Sequence, residues 1–334
     1  MSADAAETFR ALVLDQRDGV LAAEIRTLSD ADLPVGDLTI DVSYSSLNYK
    51  DGLSITGAGK IARFFPMVPG IDLAGTVRHS DAPGYKPGDA VLVTGWGIGE
   101  RHWGGFAERA RVKSEWVTKI PPKLTAARAM ALGTAGLTAM LCVLAIQEAG
   151  VDPAGREVLV TGAAGGVGSV AVAVLASLGY RVVASSGRPE QADFLRSLGA
   201  TEVIDRAAVA APGKPLESER WGGVIDTVGG ETLAGALRAV AYNGAVAACG
   251  NAGGIALSTT VFPFILRGVR LIGVESVQCP AYRREIAWAR LVRDMPAELL
   301  DGLTTTIALT EIPAAAQQIV AGQIRGRTVV DLAR

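Results

Sequence analysis

Residues 158–179 read VLVTGAAGGVGSVAVAVLASLG, and this stretch decides the fold. The pattern predicts a buried strand over Val158–Thr161 and a helix after the turn that follows it. Small residues in that turn let the backbone approach a pyrophosphate, and the helix N-terminus supplies N–H donors and partial positive charge. The first glycine of the usual G-x-G-x-x-G pattern is replaced by Ala163. Because the turn lies between a strand and a helix, we predict a dinucleotide site. Its predicted contacts are Gly165, Gly166, Val167 and Gly168.

The same turn also fits the T-G-x-x-x-G-x-G pattern of short-chain dehydrogenases, from Thr161 to Gly168. That family needs a tyrosine followed four residues later by a lysine. The later tyrosines, Tyr180, Tyr242 and Tyr282, are followed at that spacing by alanine, valine and isoleucine. The short-chain interpretation is therefore rejected.

The end of the second predicted strand indicates which cofactor is bound. An NAD enzyme usually has an acid about 20 residues past the glycine turn, where it holds the ribose hydroxyls. This chain instead has the residues Ser185, Ser186, Gly187 and Arg188. Hydroxyls and a guanidinium suit a 2′-phosphate, which an acid would repel. We expect NADPH to contact Ser186, Gly187 and Arg188; the alternative is that Arg188 is only a solvated cation.

Outward from this stretch, the chain shows two patterns. From Glu157, strands alternate with helices, which predicts a parallel sheet with crossover helices. Residues 9–120 instead show short strands broken by turns, typical of an antiparallel, barrel-like domain. The last segment returns to strand, helix and strand. We predict an α/β protein with a catalytic domain at 1–128, completed by 305–334, and a Rossmann domain with a doubly wound parallel sheet at 129–304.

Composition limits the possible functions. The net charge is −2 at pH 7, so no whole-molecule field attracts nucleic acid or an anionic membrane. The three cysteines are far apart and odd in number, so they imply no disulfide framework and suit a reducing, cytoplasmic compartment. With only two histidines, His79 and His102, the chain offers no metal-like ligand spacing.

Two uncharged stretches, Ala129–Ile146 and Val158–Tyr180, are long enough to resemble membrane spans. Both contain several glycine or threonine residues, and we interpret them as buried core rather than as spans. The N-terminal sequence MSADAAETFRALVL contains acids and has no apolar core region, so we do not expect a signal peptide.

Four longer strings carry a family resemblance. They are residues 46–77 (SLNYKDGLSITGAGKIARFFPMVPGIDLAGTV), 95–112 (GWGIGERHWGGFAERARV), 133–146 (GTAGLTAMLCVLAI) and 260–276 (TVFPFILRGVRLIGVES). Over essentially its whole length the chain resembles the medium-chain dehydrogenase/reductase superfamily. These strings are similar to those of its acrylyl-CoA reductase (NADPH) family. The resemblance implies a GroES-like barrel, a Rossmann domain and NADPH-dependent reduction of acrylyl-CoA.

The resemblance also allows the zinc ligands of related enzymes to be compared with this chain. Zinc-dependent alcohol dehydrogenases of the superfamily have a cysteine where this chain has Asn48. They have a histidine–glutamate pair where it has Ile71 and Asp72. Alcohol oxidation needs a Lewis acid, whereas an enoyl thioester is already polarised by its own carbonyl. We therefore predict no metal.

The segment SLNYKD offers an amide, a phenol, an ammonium and a carboxylate close together. Reduction of an enoyl thioester needs hydrogen bonds to the developing oxyanion and a proton for the α-carbon. Asn48 and Tyr49 are the candidates for contacts to the substrate carbonyl and to the nicotinamide. Asp51 is a candidate for orienting Lys50 or Asn48. The structural alternative is a turn in which Asp51 caps a short helix.

The superfamily resemblance implies further cofactor contacts at Thr138 and Arg327, the latter toward the cofactor phosphates. Asn251 follows the end of a predicted strand of the parallel sheet, where such sheets bind ligands, and is a third candidate. Candidate partners for the phosphates of coenzyme A are Lys60, Arg63, Arg267 and Arg270, each of which is equally well explained as a solvated cation.

The function implied by the family resemblance is reduction of acrylyl-CoA to propanoyl-CoA, by hydride transfer to the β-carbon. Two alternatives stay open: a quinone or enone reductase of the same superfamily, and a non-enzymatic NADPH-binding protein. An acyl-CoA substrate is the expected partner. The strand VRLIGVES suggests pairing across a homodimer.

Overall fold

The computed structural model describes residues 7–334, so the first part of the sequence used for the signal-peptide prediction lies outside the described residues. The chain forms two compact units. The first contains the chain up to Thr134 together with Thr304–Arg334, and the second contains Ala135–Leu303. The junction predicted from the sequence, at residues 128 and 129, lies in the same helix as the junction between the units. The predicted domain limits stay a prediction.

The described strands, in chain order, are β1 (Thr8–Arg17), β2 (Val20–Ser29), β3 (Leu38–Leu47), β4 (Asp72–Ser80), β5 (Ala90–Thr94), β6 (Arg109–Val112), β7 (Thr118–Lys119), β8 (Glu157–Thr161), β9 (Val182–Ser186), β10 (Glu202–Asp205), β11 (Trp221–Asp226), β12 (Val240–Ala248), β13 (Arg270–Gly273), β14 (Thr304–Ala308) and β15 (Arg327–Asp331). The described α-helices are α1 (Tyr49–Thr56), α2 (Ala126–Glu148), α3 (Gly166–Ser177), α4 (Ala192–Ser197), α5 (Arg206–Ala210), α6 (Gly230–Arg238), α7 (Phe262–Arg267), α8 (Ala281–Asp294), α9 (Ala297–Gly302) and α10 (Ile312–Val320).

The second unit is built on a parallel sheet in the order β10-β9-β8-β11-β12-β13. Counted within the unit, this is the doubly wound order 3-2-1-4-5-6 of dinucleotide-binding folds. Val158, Leu159 and Val160 of the central strand β8 are fully buried, as the uninterrupted apolar run predicts. The predicted α/β class is therefore confirmed. The carboxyl ends of these strands meet at one edge, where such folds bind ligands.

The first unit contains a mixed sheet in the order β14-β15-β3-β4-β5-β7, with β6 paired to β3. Its pairings are antiparallel except for β14 with β15. The C-terminal strand–helix–strand segment thus belongs to this sheet. A separate hairpin joins β1 to β2, a strand that the sequence patterns did not single out. Its turn residues Asp18 and Gly19 both have positive φ, as the tight Asp-Gly hairpin turn requires.

Helix α2 is long and apolar, and an internal break divides it. Gly133 has φ 52° and ψ −154°, outside the helical region. By length and mean hydropathy α2 is the one described helix that could cross a membrane, but 94% of its most apolar window is buried. Buried core helices satisfy the same criterion.

Candidate active site

Helix α1 begins directly after β3, and its first turn is held by its own polar residues. Asn48 is the N-cap residue, in an extended conformation. The Asp51 Oδ2 atom accepts a hydrogen bond from the Asn48 backbone N–H (2.9 Å), and its Oδ1 atom accepts one from the Ile71 N–H (3.0 Å). Such an N3 carboxylate satisfies an N–H group that the helix cannot use. Asp51 therefore orients Asn48, whereas Lys50 pairs with Glu100 (2.7 Å).

A second buried carboxylate, Asp72 at the start of β4, collects several donors. It accepts hydrogen bonds from Ser46 Oγ (2.6 Å), Asn48 Nδ2 (2.9 Å), Thr134 Oγ1 (2.5 Å) and the Thr134 N–H (2.9 Å). A carboxylate with four donors is well solvated by the protein even though none of it reaches water.

The break at Gly133 makes room for this carboxylate. A Cβ atom on Gly133 would lie 2.5 Å from Asp72 Oδ2 and 2.8 Å from Ser46 Oγ. The positive φ also suits glycine and disfavours other residues. The break releases the N–H of Thr134 from the helix, and Asp72 accepts it.

Arg327, on the C-terminal strand β15, completes what we call the Asn48 cluster: Ser46, Asn48, Asp51, Asp72, Thr134 and Arg327. Its Nε donates to the Ala131 carbonyl (2.7 Å), and its Nη1 donates to Asn48 Oδ1 (3.2 Å). Its Nη2 is buried and has no partner among the described residues. A buried guanidinium nitrogen without a partner is costly, so this atom is a candidate ligand contact.

Burial and neighbouring charge act on the ionisable groups of the cluster. Burial raises the pKa of Asp51 to about 7, helped by the Asp72 carboxylate and opposed by the N–H groups of Asn48 and Ile71. Burial lowers the pKa of the Arg327 guanidinium, while the charges of Asp72 and Asp51 oppose that shift.

The predicted catalytic residues thus differ in accessibility. Asn48 is buried, and its amide is fixed because its oxygen accepts from Arg327 and its nitrogen donates to Asp72. The remaining Nδ2 contacts are long, 3.2–3.4 Å to Ser46 and Asp51. Tyr49 is 40% exposed, and no described residue hydrogen-bonds its hydroxyl. Within residues 7–334, no group of three or more His, Cys, Asp or Glu side chains could hold a metal ion.

In the second unit, the glycine turn has the geometry of a phosphate cradle. Gly162 has φ 59°, and Gly165 precedes α3 in an extended conformation. A Cβ atom on Gly168 would lie 2.4 Å from the Gly162 carbonyl oxygen. The first turn of α3 contains no acidic residue and no side chain caps it. Its N–H groups are therefore available to an anion.

Sequence patterns did not identify Asp226, which hydrogen-bonds Thr161 at the start of the glycine turn. This buried carboxyl, at the end of β11, accepts from Thr161 Oγ1 (2.6 Å) and from the Gly229 N–H (2.8 Å). Thr227 adds a bond from its Oγ1 to the Thr161 carbonyl (2.9 Å). Burial raises the pKa of Asp226. Its position at the carboxyl end of a predicted strand was the available signal.

The residues predicted to hold a 2′-phosphate lie together at the end of β9. Ser186 Oγ accepts from the Arg188 N–H (3.1 Å), and the Ser185 Oγ is buried without a described partner. Arg206, at the start of α5, was missed. Its guanidinium lies against Gly187: the guanidinium atoms are 3.0–3.2 Å from where a Cβ atom would stand if Gly187 were alanine. Pairing of Asp205 with Ser186 in the sheet brings it there, and a single sequence does not give that register.

Of the three remaining predicted cofactor residues, two also lie near the carboxyl edge of the parallel sheet. Thr138 is buried and donates from Oγ1 to Ser276 Oγ (2.8 Å), just beyond β13. Asn251 is exposed and follows β12. Its Cα lies close to Gly229, 3.3 Å from where a Cβ atom would stand if Gly229 were alanine. Arg327 instead lies in the Asn48 cluster of the first unit. The cofactor contacts of all three residues stay predictions.

Comparison with known proteins gives a consistent assignment. Residues 34–122 match the alcohol dehydrogenase GroES-like domain, and residues 166–292 match the zinc-binding dehydrogenase family model. The chain is 55% identical to the probable acrylyl-CoA reductase AcuI of Escherichia coli, covering 96% of this chain and 99% of that protein. It is 50% identical to acrylyl-CoA reductase AcuI of Ruegeria pomeroyi, covering 97% and 99%.

A solved structure agrees with these relatives. The yhdH oxidoreductase from Salmonella enterica, crystallised in complex with NADP, is 54% identical with a TM-score of 0.95. The match covers 97% of this chain and 99% of that one. The GroES-like component predicted for the N-terminal part is thereby confirmed, together with the Rossmann component.

Proposed function

We propose that this chain, which belongs to the acrylyl-CoA reductase family of the medium-chain dehydrogenase/reductase superfamily, reduces the C=C bond of acrylyl-CoA to give propanoyl-CoA, with NADPH as the reductant. The observation that carries the proposal is similarity over the whole length to two acrylyl-CoA reductases. The reaction belongs to the oxidoreductases that act on CH–CH groups.

The second unit fits NADPH on its own geometry. The close approach at Gly168 and the uncapped start of α3 suit the diphosphate, with Gly165 as the residue before α3 and Gly166 and Val167 in its first turn. Ser186, Gly187 and Arg188, joined by Arg206, suit a 2′-phosphate. Thr138 and Asn251 are the proposed contacts toward the nicotinamide half. NADPH, when bound, would supply the hydride that is added to the β-carbon, and a proton taken up from solvent would complete the α-carbon.

The first unit supplies the hydrogen bonds that the thioester oxyanion needs. Tyr49 offers an exposed hydroxyl, and Arg327 offers an N–H that no described residue accepts. Asn48 gives up its 3.2 Å contact to the Ser46 carbonyl and donates that amide hydrogen to the oxyanion, while Asp72 and Arg327 keep the amide oriented. Asp51 holds Asn48 from the backbone side. Fixed donors of this kind stabilise charge that develops in the transition state.

The test is NADPH oxidation with acrylyl-CoA, crotonyl-CoA and a small quinone, measured in parallel. We expect the highest kcat/KM for acrylyl-CoA. Asn48→Ala and Tyr49→Phe should each lower kcat by about 10²–10³-fold, as for loss of one oxyanion donor, with little change in NADPH affinity. A preference for quinone would move the chain to the reductase alternative. Cofactor binding without turnover of any substrate would favour a non-enzymatic role.

The chain should need no metal, although one matching family model is named for zinc. Asn48 and Asp72 already hydrogen-bond each other and lie in a network that includes Arg327, rather than standing ready as ligands. Elemental analysis of protein purified without added metal should find no stoichiometric zinc. One zinc per chain, whose removal abolishes turnover, would contradict this.

A homodimer is the proposed assembly, and the cytoplasm is the proposed location. β13 is an edge strand, paired to β12 on one side, and Leu271 on it is exposed. Ile265 and Leu266 on the neighbouring α7 are also exposed. An open strand edge beside apolar side chains favours pairing between two copies. Light scattering with size-exclusion chromatography measures the assembly state.

A further inference from the structure

The four cations considered for coenzyme A fall into two classes in the structure. Arg267 donates to the carbonyls of Arg238 (3.1 Å), Val240 (3.0 Å) and Glu217. Arg270 donates to the carbonyls of Ala149 and Asn243 (3.3 Å). Both guanidinium groups therefore hold the backbone of the second unit together.

Lys60 and Arg63 belong to the other class. They lie in the loop that follows α1, residues 57–66, and both are exposed. No described residue forms an ion pair or a side-chain hydrogen bond with the Lys60 ammonium or the Arg63 guanidinium. The two charges are therefore available to a ligand.

The loop itself is shaped by backbone hydrogen bonds. The Gly59 N–H donates to the Leu53 carbonyl (3.1 Å), which folds the loop back onto α1. The Ile61 N–H donates to the Gly59 carbonyl (2.9 Å), so Lys60 is the central residue of a three-residue turn. The loop is thus ordered even though its cations lack partners.

A second segment with a cation lies against this loop. The Arg63 N–H donates to the Glu100 carbonyl (2.9 Å), which brings exposed Arg101 beside the loop. Glu100, whose carboxylate would otherwise offset the positive charge, is paired with Lys50 at 2.7 Å. Phe64 is 44% exposed in the same loop. We call Lys60, Arg63, Phe64 and Arg101 the cationic loop patch.

We propose that the cationic loop patch binds the phosphorylated adenosine end of coenzyme A. The 3′-phosphate and the diphosphate are multiply charged anions, which guanidinium and ammonium groups bind by charge-assisted hydrogen bonds. The exposed Phe64 ring offers a stacking surface for adenine. This inference rests on the proposed function, because it names how the same substrate is held.

The position of the loop agrees with the shape of the substrate. Helix α1 starts beside Asn48 and ends where the loop begins, a distance of about 12 Å at 1.5 Å per residue. Coenzyme A carries its thioester and its phosphates at opposite ends of the pantetheine arm. A thioester near Asn48 and phosphates on the loop would therefore place that arm along α1.

The experiment compares substrates that differ only in the carrier: acrylyl-CoA, acrylyl-3′-dephospho-CoA and acrylyl-N-acetylcysteamine, which lacks every phosphate. The quantity measured is kcat/KM for acrylyl-CoA divided by that for acrylyl-N-acetylcysteamine. Exposed ion pairs are individually weak, so Lys60→Ala and Arg63→Ala should each lower this ratio by about 2–5-fold, and the double variant should lower it further. The loss should appear in KM, and the wild-type KM should rise with salt.

Two of the controls keep the charge in the loop, and the third removes a charge elsewhere. Lys60→Arg and Arg63→Lys should retain most of the ratio. Lys86→Ala should leave it at the wild-type value, because exposed Lys86 lies in the β4–β5 turn, at the opposite end of β4 from Asp72.

Two results would overturn the inference: a wild-type ratio near 1, or a double variant with the wild-type ratio. A wild type that reduces none of the three thioesters would instead refute the proposed function.

Discussion

Two helix N-termini in this protein both present backbone N–H groups, but only one of them is capped by a carboxylate of the protein. At the Gly133 break, the freed N–H of Thr134 is accepted by the protein's own Asp72 carboxylate. At the start of α3, a glycine turn presents N–H groups with no acid in the first turn and no side-chain cap. Helix N-termini attract anions in both cases. One terminus is closed by an internal anion, and the other, which has no side-chain cap, is the one proposed for the cofactor diphosphate.

The difference shows how neighbouring residues decide what a helix N-terminus does. At Gly133 the carboxylate arrives from β4 and also organises Asn48, so the terminus becomes part of the fold. At Gly165–Gly168 no carboxylate among residues 7–334 caps the terminus, and Asp226 behind the turn accepts from Thr161 instead of reaching the start of α3. A structural anion should therefore be required for stability, and a cofactor anion for binding alone.

Removal of the internal anion should have the largest effect. Asp72→Ala leaves buried Arg327 without its opposing charge and leaves Thr134 and Ser46 without an acceptor. Breaking a buried charge network in this way typically costs about 3–5 kcal/mol. Urea denaturation measures the free energy of unfolding, with Asp72→Asn as the matched control that keeps the volume and one acceptor. A loss below about 1 kcal/mol in the alanine variant would show that Asp72 does not hold this terminus.

The second carboxylate of the Asn48 cluster gives a pH signature. The pKa of Asp51 rises from an ordinary value of 3.8 to about 7 on folding. Between about pH 4 and 7 the unfolded state has lost this proton while the folded state keeps it, so stability falls as pH rises. The slope approaches about 1.4 kcal/mol per pH unit and levels off above pH 7.

Comparison with Asp51→Asn isolates this effect from the other ionisable groups. The difference in unfolding free energy between wild type and variant, measured at intervals from pH 4.5 to 8, should move against the wild type until about pH 7. A difference that is flat with pH would mean that Asp51 is ionised throughout this range in the folded protein.

The two termini also differ in how far the sequence predicts them. The glycine turn is readable because strand, turn and helix are contiguous, and the local pattern carries the function. In the Asn48 cluster, pairing of β3 with β4 and β15 brings Asp72 and Arg327 to Ser46 and Asn48. Thr134 joins them from α2, after the break at Gly133. Sequence patterns found Asn48 and Asp51, and the family resemblance gave Arg327 as a contact to the cofactor phosphates, which stays a prediction. They gave Asp72 only as a replaced zinc ligand, because long-range register is not readable from one sequence.

A change at the uncapped start of α3 should alter the affinity for the cofactor. Gly168→Ala places a Cβ 2.4 Å from the Gly162 carbonyl oxygen and 2.7 Å from the Ala163 Cα, so the turn has to widen. Overpacking of this kind typically costs about 1–3 kcal/mol, which corresponds to a Kd increase of about 5–150-fold. NADPH and NADH should be weakened equally, since both carry the diphosphate. Gly302→Ala, with open space around it, is the control. Unchanged Kd values for Gly168→Ala would show that this close approach is not needed for binding.

The smallest effect should distinguish the two cofactors. Arg188 and Arg206 flank Gly187 beyond the uncapped start of α3, and a 2′-phosphate between them would share its charge with both. A hydrogen bond to a charged group is worth about 1.5–3 kcal/mol, or about 10–150-fold in affinity. With two cations sharing one phosphate, Arg188→Ala and Arg206→Ala should each raise the KM for NADPH toward the lower end of that range. NADH lacks the phosphate, so its KM should barely change.

Adding Ser186→Asp to Arg188→Ala should shift preference further toward NADH, because the new carboxylate accepts from the ribose hydroxyls and repels a phosphate. Arg196→Ala, which removes an exposed arginine paired with Asp193, serves as the control. The measurement is the ratio of kcat/KM for NADPH to that for NADH in each variant. If the wild type prefers NADH, or if both arginine variants weaken the two cofactors equally, the 2′-phosphate does not lie at Gly187.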